Sequence, residues 1–271
     1  MSVGRPLRQR VLAGELLIGT FLNLGSPAVA EVCGRAGLDW LLVDLEHGAG
    51  GDGELLAMLQ AIAGTGTPAL VRVEQGTRLR VGRALDLGAE GIMVPRIDTV
   101  DEAREICSWL RFPPAGIRGV ALFTRGLDWG AGGHSAPAER NDEIVGIVQI
   151  ESVAAVEAAE ELAALDGVDV LFVGPADLSH ALGIPGDIDH AFYQAAIEKV
   201  GRAAKARGKA AGVLLWKPED IDRYAAAGYT FFSVSSEGAL LLGALRGEAS
   251  AVRERVRPDH AQDSRVAISS R

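Results

Sequence analysis

The sequence predicts a (β/α)8 barrel in a single domain, and three observations lead there. Eight short runs are apolar on both faces: Ile18–Leu22, Trp40–Val43, Ala69–Arg72, Gly91–Val94, Ile144–Ile150, Val170–Val173, Ala211–Leu215 and Phe231–Val234. They alternate with segments of helical period such as Pro27–Arg35, Thr99–Leu110, Val153–Leu165 and Ala191–Ala206. Strands buried on both faces and separated by helices are the pattern of a parallel sheet covered all round. The third observation is that several runs end in groups that a core does not need. Trp40–Val43 runs into Asp44-Leu45-Glu46-His47-Gly48, Ala69–Val71 into Arg72, Ile144–Val148 into Gln149-Ile150-Glu151, and Val170–Val173 into Gly174-Pro175-Ala176-Asp177. Polar groups gathered at one end of several strands point to a site at the C-terminal mouth of a parallel barrel.

Glycine supplies the punctuation. Gly37, Gly88, Gly167, Gly208 and Gly228 each follow a helical segment and precede a strand. A left-handed residue there closes the helix and lets the chain reverse. One connection is long: residues 111–143 separate the helix ending near Leu110 from the strand at Ile144, and they read as a lid or a subunit contact on the catalytic side. The barrel is assigned to residues 1–256, and the polar, aperiodic tail 257–271 reads as mobile.

The chain has 271 residues, 48% of them apolar and 23% charged, as expected for one globular barrel. A net charge of −9 speaks against a nucleic-acid partner. No apolar run has the length of a membrane span, and the start carries charge without an apolar segment behind it, so a cytoplasmic protein without a membrane partner is expected. Cys33 and Cys107 read as free buried thiols.

Gln149 and Glu151 stand two apart on a strand and therefore share a face. With Asp177 at the end of the next strand, two carboxylates can share one cation with open positions, which suits Mg²⁺ or Mn²⁺, with Co²⁺ as a further option. Asp177 also reads as a helix N-cap. The three-residue spacing of Asp44 and His47 allows a carboxylate to orient an imidazole, the usual general base near neutral pH. Arg72 ends a core strand and needs an anion, either a substrate or an internal carboxylate such as Glu46 or Asp86.

Together, Asp44-Leu45-Glu46-His47-Gly48, Val71-Arg72-Val73, Ala84–Ala89 with Gly91–Pro95, Gly116-Ile117-Arg118-Gly119, Gln149-Ile150-Glu151 and Val173–Leu178 resemble the HpcH/HpaI aldolase family, class II pyruvate aldolases. The resemblance runs in order from Gly19 to Leu242. It implies a divalent metal held by Glu151 and Asp177, and catalytic roles for His47, Arg72, Asp44 and Asp86. It also implies a substrate site bordered by Arg72, Gln149, Gly174, Pro175, Ala176 and Leu214. Asp44 then partners His47, and Arg72 meets pyruvate and its enolate. The partners implied are pyruvate, an aldehyde and further copies of the chain, a hexamer being common. Leu45, Phe21 and Ser235-Ser236-Glu237 depart from the family's usual Gly, Trp and Gly-Asp, which leaves the aldehyde open.

Rival readings remain. A Schiff-base aldolase needs a buried lysine, and of Lys199, Lys205, Lys209 and Lys217 just Lys217 lies near a strand's C-terminal end. A macrophomate synthase-like or citrate-lyase-type enzyme would use the same enolate differently, the latter with a coenzyme A site that the sequence does not display. A barrel that binds oxo acids without turnover is the remaining alternative.

Overall fold

A computed structural model describes residues 5–256. The strands are β1 Leu17–Leu22, β2 Trp40–Asp44, β3 Ala69–Arg72, β4 Gly91–Val94, β5 Val145–Ile150, β6 Val170–Val173, β7 Ala210–Leu215 and β8 Phe231–Ser236. All are parallel and close in sequence order, β8 pairing back to β1. The predicted TIM barrel is therefore present, with every predicted strand within two residues of its place. The helices between them are α1 Leu7–Leu12, α2 Pro27–Gly34, α3 Asp52–Ala63, α4 Arg78–Asp86, α5 Val100–Leu110, α6 Ala136–Asn141, α7 Val153–Glu157, α8 Ala159–Ala164, α9 Pro175–Ala181, α10 Ala191–Ala206 and α11 Ile221–Ala226. The segment expected as one helix over Val153–Leu165 divides at Ala158 into α7 and α8. Chain beyond Glu237 forms a separate unit whose described part continues the helix α12 Glu237–Val256. The tail 257–271 lies outside the described residues.

Alternation along each strand builds the interior. Leu17 and Phe21, Trp40 and Leu42, Val145 and Ile147, and Val170 and Phe172 form one buried cluster with Leu70, Met93 and Phe231. The indole of Trp40 stacks on Phe231 with centroids 4.4 Å apart. Gly19 makes that possible, since a Cβ there would fall 2.1 Å from the indole. The residues between these inward positions pack outward against the helices in a second cluster. The glycines expected after helices adopt positive φ, from 64° at Gly208 to 103° at Gly88. Leu7 and Val11 of α1 join the interior cluster, below β1 at the base.

The long connection corrects an expectation. Residues 111–143 are neither structureless nor placed over the mouth. They hold two short 3₁₀ turns and α6, and they pack low on the barrel: Arg125 donates to the Leu59 carbonyl, and Gly126 lies against the Leu85 carbonyl. The reason is topological. The insertion follows α5, and in a βα unit the chain leaves a helix at the base of the barrel, so extra residues there cannot start at the catalytic face. Cys107 is buried but Cys33 is half-exposed; both are free. Among the described residues no helix is long and apolar enough to cross a membrane.

Candidate active site

At the upper ends of the strands the inward positions change from apolar to charged. Asp44 is the next inward residue after Leu42, and Arg72 the next after Leu70. β2 and β3 pair with Asp44 opposite Arg72, which sets carboxylate and guanidinium side by side. Arg72 Nε lies 2.9 Å from Asp44 Oδ1 and Nη2 2.7 Å from Oδ2, a two-pronged bond buried from solvent. The remaining nitrogen, Nη1, reaches Glu46 Oε2 at 3.1 Å and Gln149 Oε1 at 3.5 Å. The Phe21 ring flanks the guanidinium, 5.0 Å from centroid to Cζ. Burial alone would lower the arginine's pKa, but its bonds to Asp44 and the charges of Asp44, Glu46 and Glu151 outweigh that and raise it.

Two expectations fail at this point. Asp44 does not orient His47. Its Oδ1 accepts the amides of Glu46 and His47, at 3.1 and 3.3 Å, and its other contacts go to Arg72. A three-residue spacing in a turn says nothing about what the neighbouring strand presents, and strand register decided the matter. His47 Nε2 instead lies 3.8 Å from Glu46 Oε2, with 70% of its side chain exposed. Burial raises the pKa of Glu46 in spite of Arg72 and His47 nearby. Asp86, the second correction, is not at this mouth. It ends α4, which runs back toward the base, and accepts a 2.8 Å bond from Arg118 beside a separate cavity that Arg78 and Trp109 also line.

Glu151 is held on three sides. Gln149 Nε2 donates to Oε1 at 2.7 Å, and the Arg96 amide donates to Oε2 at 3.2 Å. Gly174 forms the third side, where a Cβ would fall 2.7 Å from Oε1. Burial, reinforced by the charge of Asp177, pushes the Glu151 carboxyl up to about 7, against the opposing pull of the Arg96 amide and Arg72. Asp177 is no N-cap: Gly174 caps α9 and Asp177 sits in its first turn, exposed. Among the described residues no three His, Cys, Asp or Glu side chains are grouped to hold a metal ion. A cation here would take two carboxylates and complete its shell with water and substrate oxygens, as Mg²⁺ and Mn²⁺ do.

These residues border a cavity of about 250 Å³. Asp44, His47, Arg72, Gln149, Glu151 and Asp177 make its charged arc. Phe21, Asn23, Leu214, Trp216 and Ser236, from β7, β8 and β1 and the turns after them, make an uncharged arc opposite, with Phe172, Gly174, Pro175 and Ala176 between. Every site residue expected from the sequence is there except Asp86. Asn23, Trp216 and Arg96 were not foreseen; each is one or two residues past a strand end, the position that made Glu151 conspicuous. A larger cleft of about 450 Å³ beside α10 is lined by Glu198, Arg202, Lys205 and Arg223 and includes no strand end.

Four carboxylates, Asp44, Glu46, Glu151 and Asp177, thus lie within electrostatic reach of one another, and among the described residues Arg72 is the buried guanidinium that faces three of them. Such a surplus of negative charge, with a glycine keeping space beside one carboxylate, fits a divalent cation.

Known proteins share this chain's sequence and fold. Residues 17–244 match the model of the family described as HpcH/HpaI aldolase/citrate lyase. A 2-keto-3-deoxy-L-rhamnonate aldolase from Klebsiella pneumoniae is 38% identical over 90% of this chain and 91% of its own length. A hydroxypyruvate/pyruvate aldolase from Delftia acidovorans is 38% identical over 87% and 88%. The crystal structure of an HpcH/HpaI aldolase/citrate lyase family protein from Burkholderia cenocepacia superposes with a TM-score of 0.86 at 38% identity, covering 91% of this chain and 98% of that one. By sequence and by fold, then, this chain belongs to the HpcH/HpaI aldolase/citrate lyase family, as a carbon–carbon lyase of the aldolase kind.

Proposed function

We propose that this protein cleaves or forms 4-hydroxy-2-oxo acids, to or from pyruvate and an aldehyde, with a divalent cation held by Glu151 and Asp177. The observation that carries the reading is a pair of carboxylates just beyond two neighbouring strands, Glu151 after β5 and Asp177 in the first turn of α9 after β6, in a mouth whose negative charge exceeds its positive charge. When bound, the cation supplies the electron sink for a 2-oxo acid, a Lewis-acid role. The family is one of divalent-metal-dependent aldolases.

The chain's own groups do the rest. His47, exposed at the rim, takes the proton of the 4-hydroxyl, and the C3–C4 bond breaks with its electron pair left on the pyruvate fragment. Arg72 presents fixed positive charge where that enolate forms, and Asp44 holds two of its nitrogens so that Nη1 faces the cavity side, where Gln149 lies. Leu214 and the Gly174-Pro175-Ala176 turn close around the substrate. A Schiff base has no support, because among the described residues no lysine borders the cavity and Lys217, just beyond β7, is exposed.

The test is pyruvate release from a panel of 4-hydroxy-2-oxo acids, with and without EDTA, and with borohydride. Activity is expected to vanish on chelation, to return with Mg²⁺ or Mn²⁺, and to ignore borohydride. Release that survives exhaustive chelation, or that borohydride with pyruvate abolishes, overturns the reading.

A further inference from the structure

Arg96 is one of four non-glycine residues with positive φ among those described, at 55°. It follows β4 at the mouth and lies between Pro95 and Ile97, both buried, which pin the backbone on either side of it. Its own side chain is exposed. Bulky residues rarely adopt this conformation, and where they do the surrounding structure must impose it. What the turn achieves is visible in its amide, which it aims across the barrel wall at Glu151 Oε2, 3.2 Å away.

We propose that the left-handed backbone at Arg96 is a positioning device for Glu151, fixing its carboxylate to face a divalent cation. The inference rests on the reading of Glu151 as a metal ligand. Three constraints then divide the work. Gln149 fixes Oε1, the Arg96 amide fixes Oε2, and Gly174 leaves the space into which the carboxylate leans. A carboxylate with one fixed contact can still rotate about its last bond; with a donor on each oxygen it cannot. The guanidinium of Arg96 is then immaterial, while the left-handed backbone at that position and its N–H are required.

The measurement is Mn²⁺ affinity by calorimetry on the metal-stripped protein, which needs no turnover. Arg96→Gly keeps the amide and adopts positive φ without cost, so its affinity is expected within about twofold of wild type. Arg96→Pro has no N–H and cannot take positive φ, and is expected to bind roughly 10–100-fold more weakly, the usual effect of losing a contact that orients a ligand. Arg96→Ile serves if the proline variant does not fold: it keeps the N–H but resists the left-handed region, and a severalfold loss is expected. A folded Arg96→Pro with wild-type affinity overturns the proposal. So does Arg96→Ile binding as tightly as Arg96→Gly, or Arg96→Gly weakened as much as the proline variant. Glu151→Gln is the control: if it binds Mn²⁺ like wild type, the assignment of Glu151 as a ligand falls instead, and the two failures are distinct.

Discussion

At the base of the barrel Asp169 is fully buried and saturated with partners. Arg8 Nε lies 3.1 Å from each of its oxygens, the Gly146 amide donates at 3.0 Å, and Arg111 stands 3.6 Å away. Two guanidinium groups serve one carboxylate. At the mouth the ratio is reversed, with Asp44, Glu46, Glu151 and Asp177 gathered near the one buried guanidinium among the described residues there, that of Arg72, and the carboxyl groups of Glu46 and Glu151 are pushed upward in pKa. Stability would be served by pairing the mouth as the base is paired. That it is not so paired separates the two ends: one closes the fold, and the other gathers unpaired charge where the proposed cation and 2-oxo acid would sit.

Removing one carboxylate from each end should have opposite consequences. Asp169→Ala strands the buried guanidinium of Arg111 and the partly buried one of Arg8, and losing one partner of a buried pair typically costs about 3–5 kcal/mol. A large fall in melting temperature is expected, with the folded fraction turning over at its usual rate. Asp177→Ala should do the reverse, leaving the metal-free protein as stable as before or slightly more so, because a like charge near Glu151 is gone, while metal binding and activity are lost. If Asp169→Ala melts like wild type, or Asp177→Ala remains active, the division between the two ends fails.

Arg72 combines features of both ends, since it is buried and ion-paired like the groups of the base yet faces the cavity. Arg72→Lys keeps a charge near Asp44 and Glu46 but cannot reproduce the two-pronged bond to Asp44. A modest drop in melting temperature is expected, with kcat/KM down by roughly 10–100-fold, the cost of a misaimed charge at a developing enolate. An unstable Arg72→Lys that retains full activity per folded molecule would assign the residue to structure alone.

The strands were legible because a parallel barrel demands continuous apolar runs, and runs such as Val170–Val173 suit few alternatives. The mouth was legible for the same reason: Glu151 and Asp44 are conspicuous where a core strand has no use for a carboxylate. What could not be read was pairing across strands. The spacing of Asp44 and His47 suggested a partnership, but the register that sets Asp44 beside Arg72 belongs to two segments 28 residues apart. Asp86 was assigned by resemblance, and a role carried over in that way brings no position with it; in this chain the residue closes on Arg118. Arg96 escaped notice because its contribution is an amide and a backbone angle, neither of which its side chain announces.

The smallest effect, and the most specific, concerns pH. The Glu151 carboxyl is raised from an ordinary 4.5 to about 7 in the folded protein, chiefly by burial and next by Asp177. Between those two values the folded chain holds a proton that the unfolded chain has released, so stability from this group falls as pH rises through that window. Below about 4.5 the contribution is complete, and above about 7 none is left. Other groups titrate in the same range, so the test is a difference: the melting temperature of the wild type in EDTA minus that of Glu151→Gln, which has no such proton to lose. That difference is expected to decline from pH 5 to pH 7 and to level off above it, amounting to a few degrees for a domain of this size. A flat difference would mean that burial at the mouth does not strain Glu151 in the metal-free state, and the contrast with the fully paired carboxylate at the base would lose its energetic half.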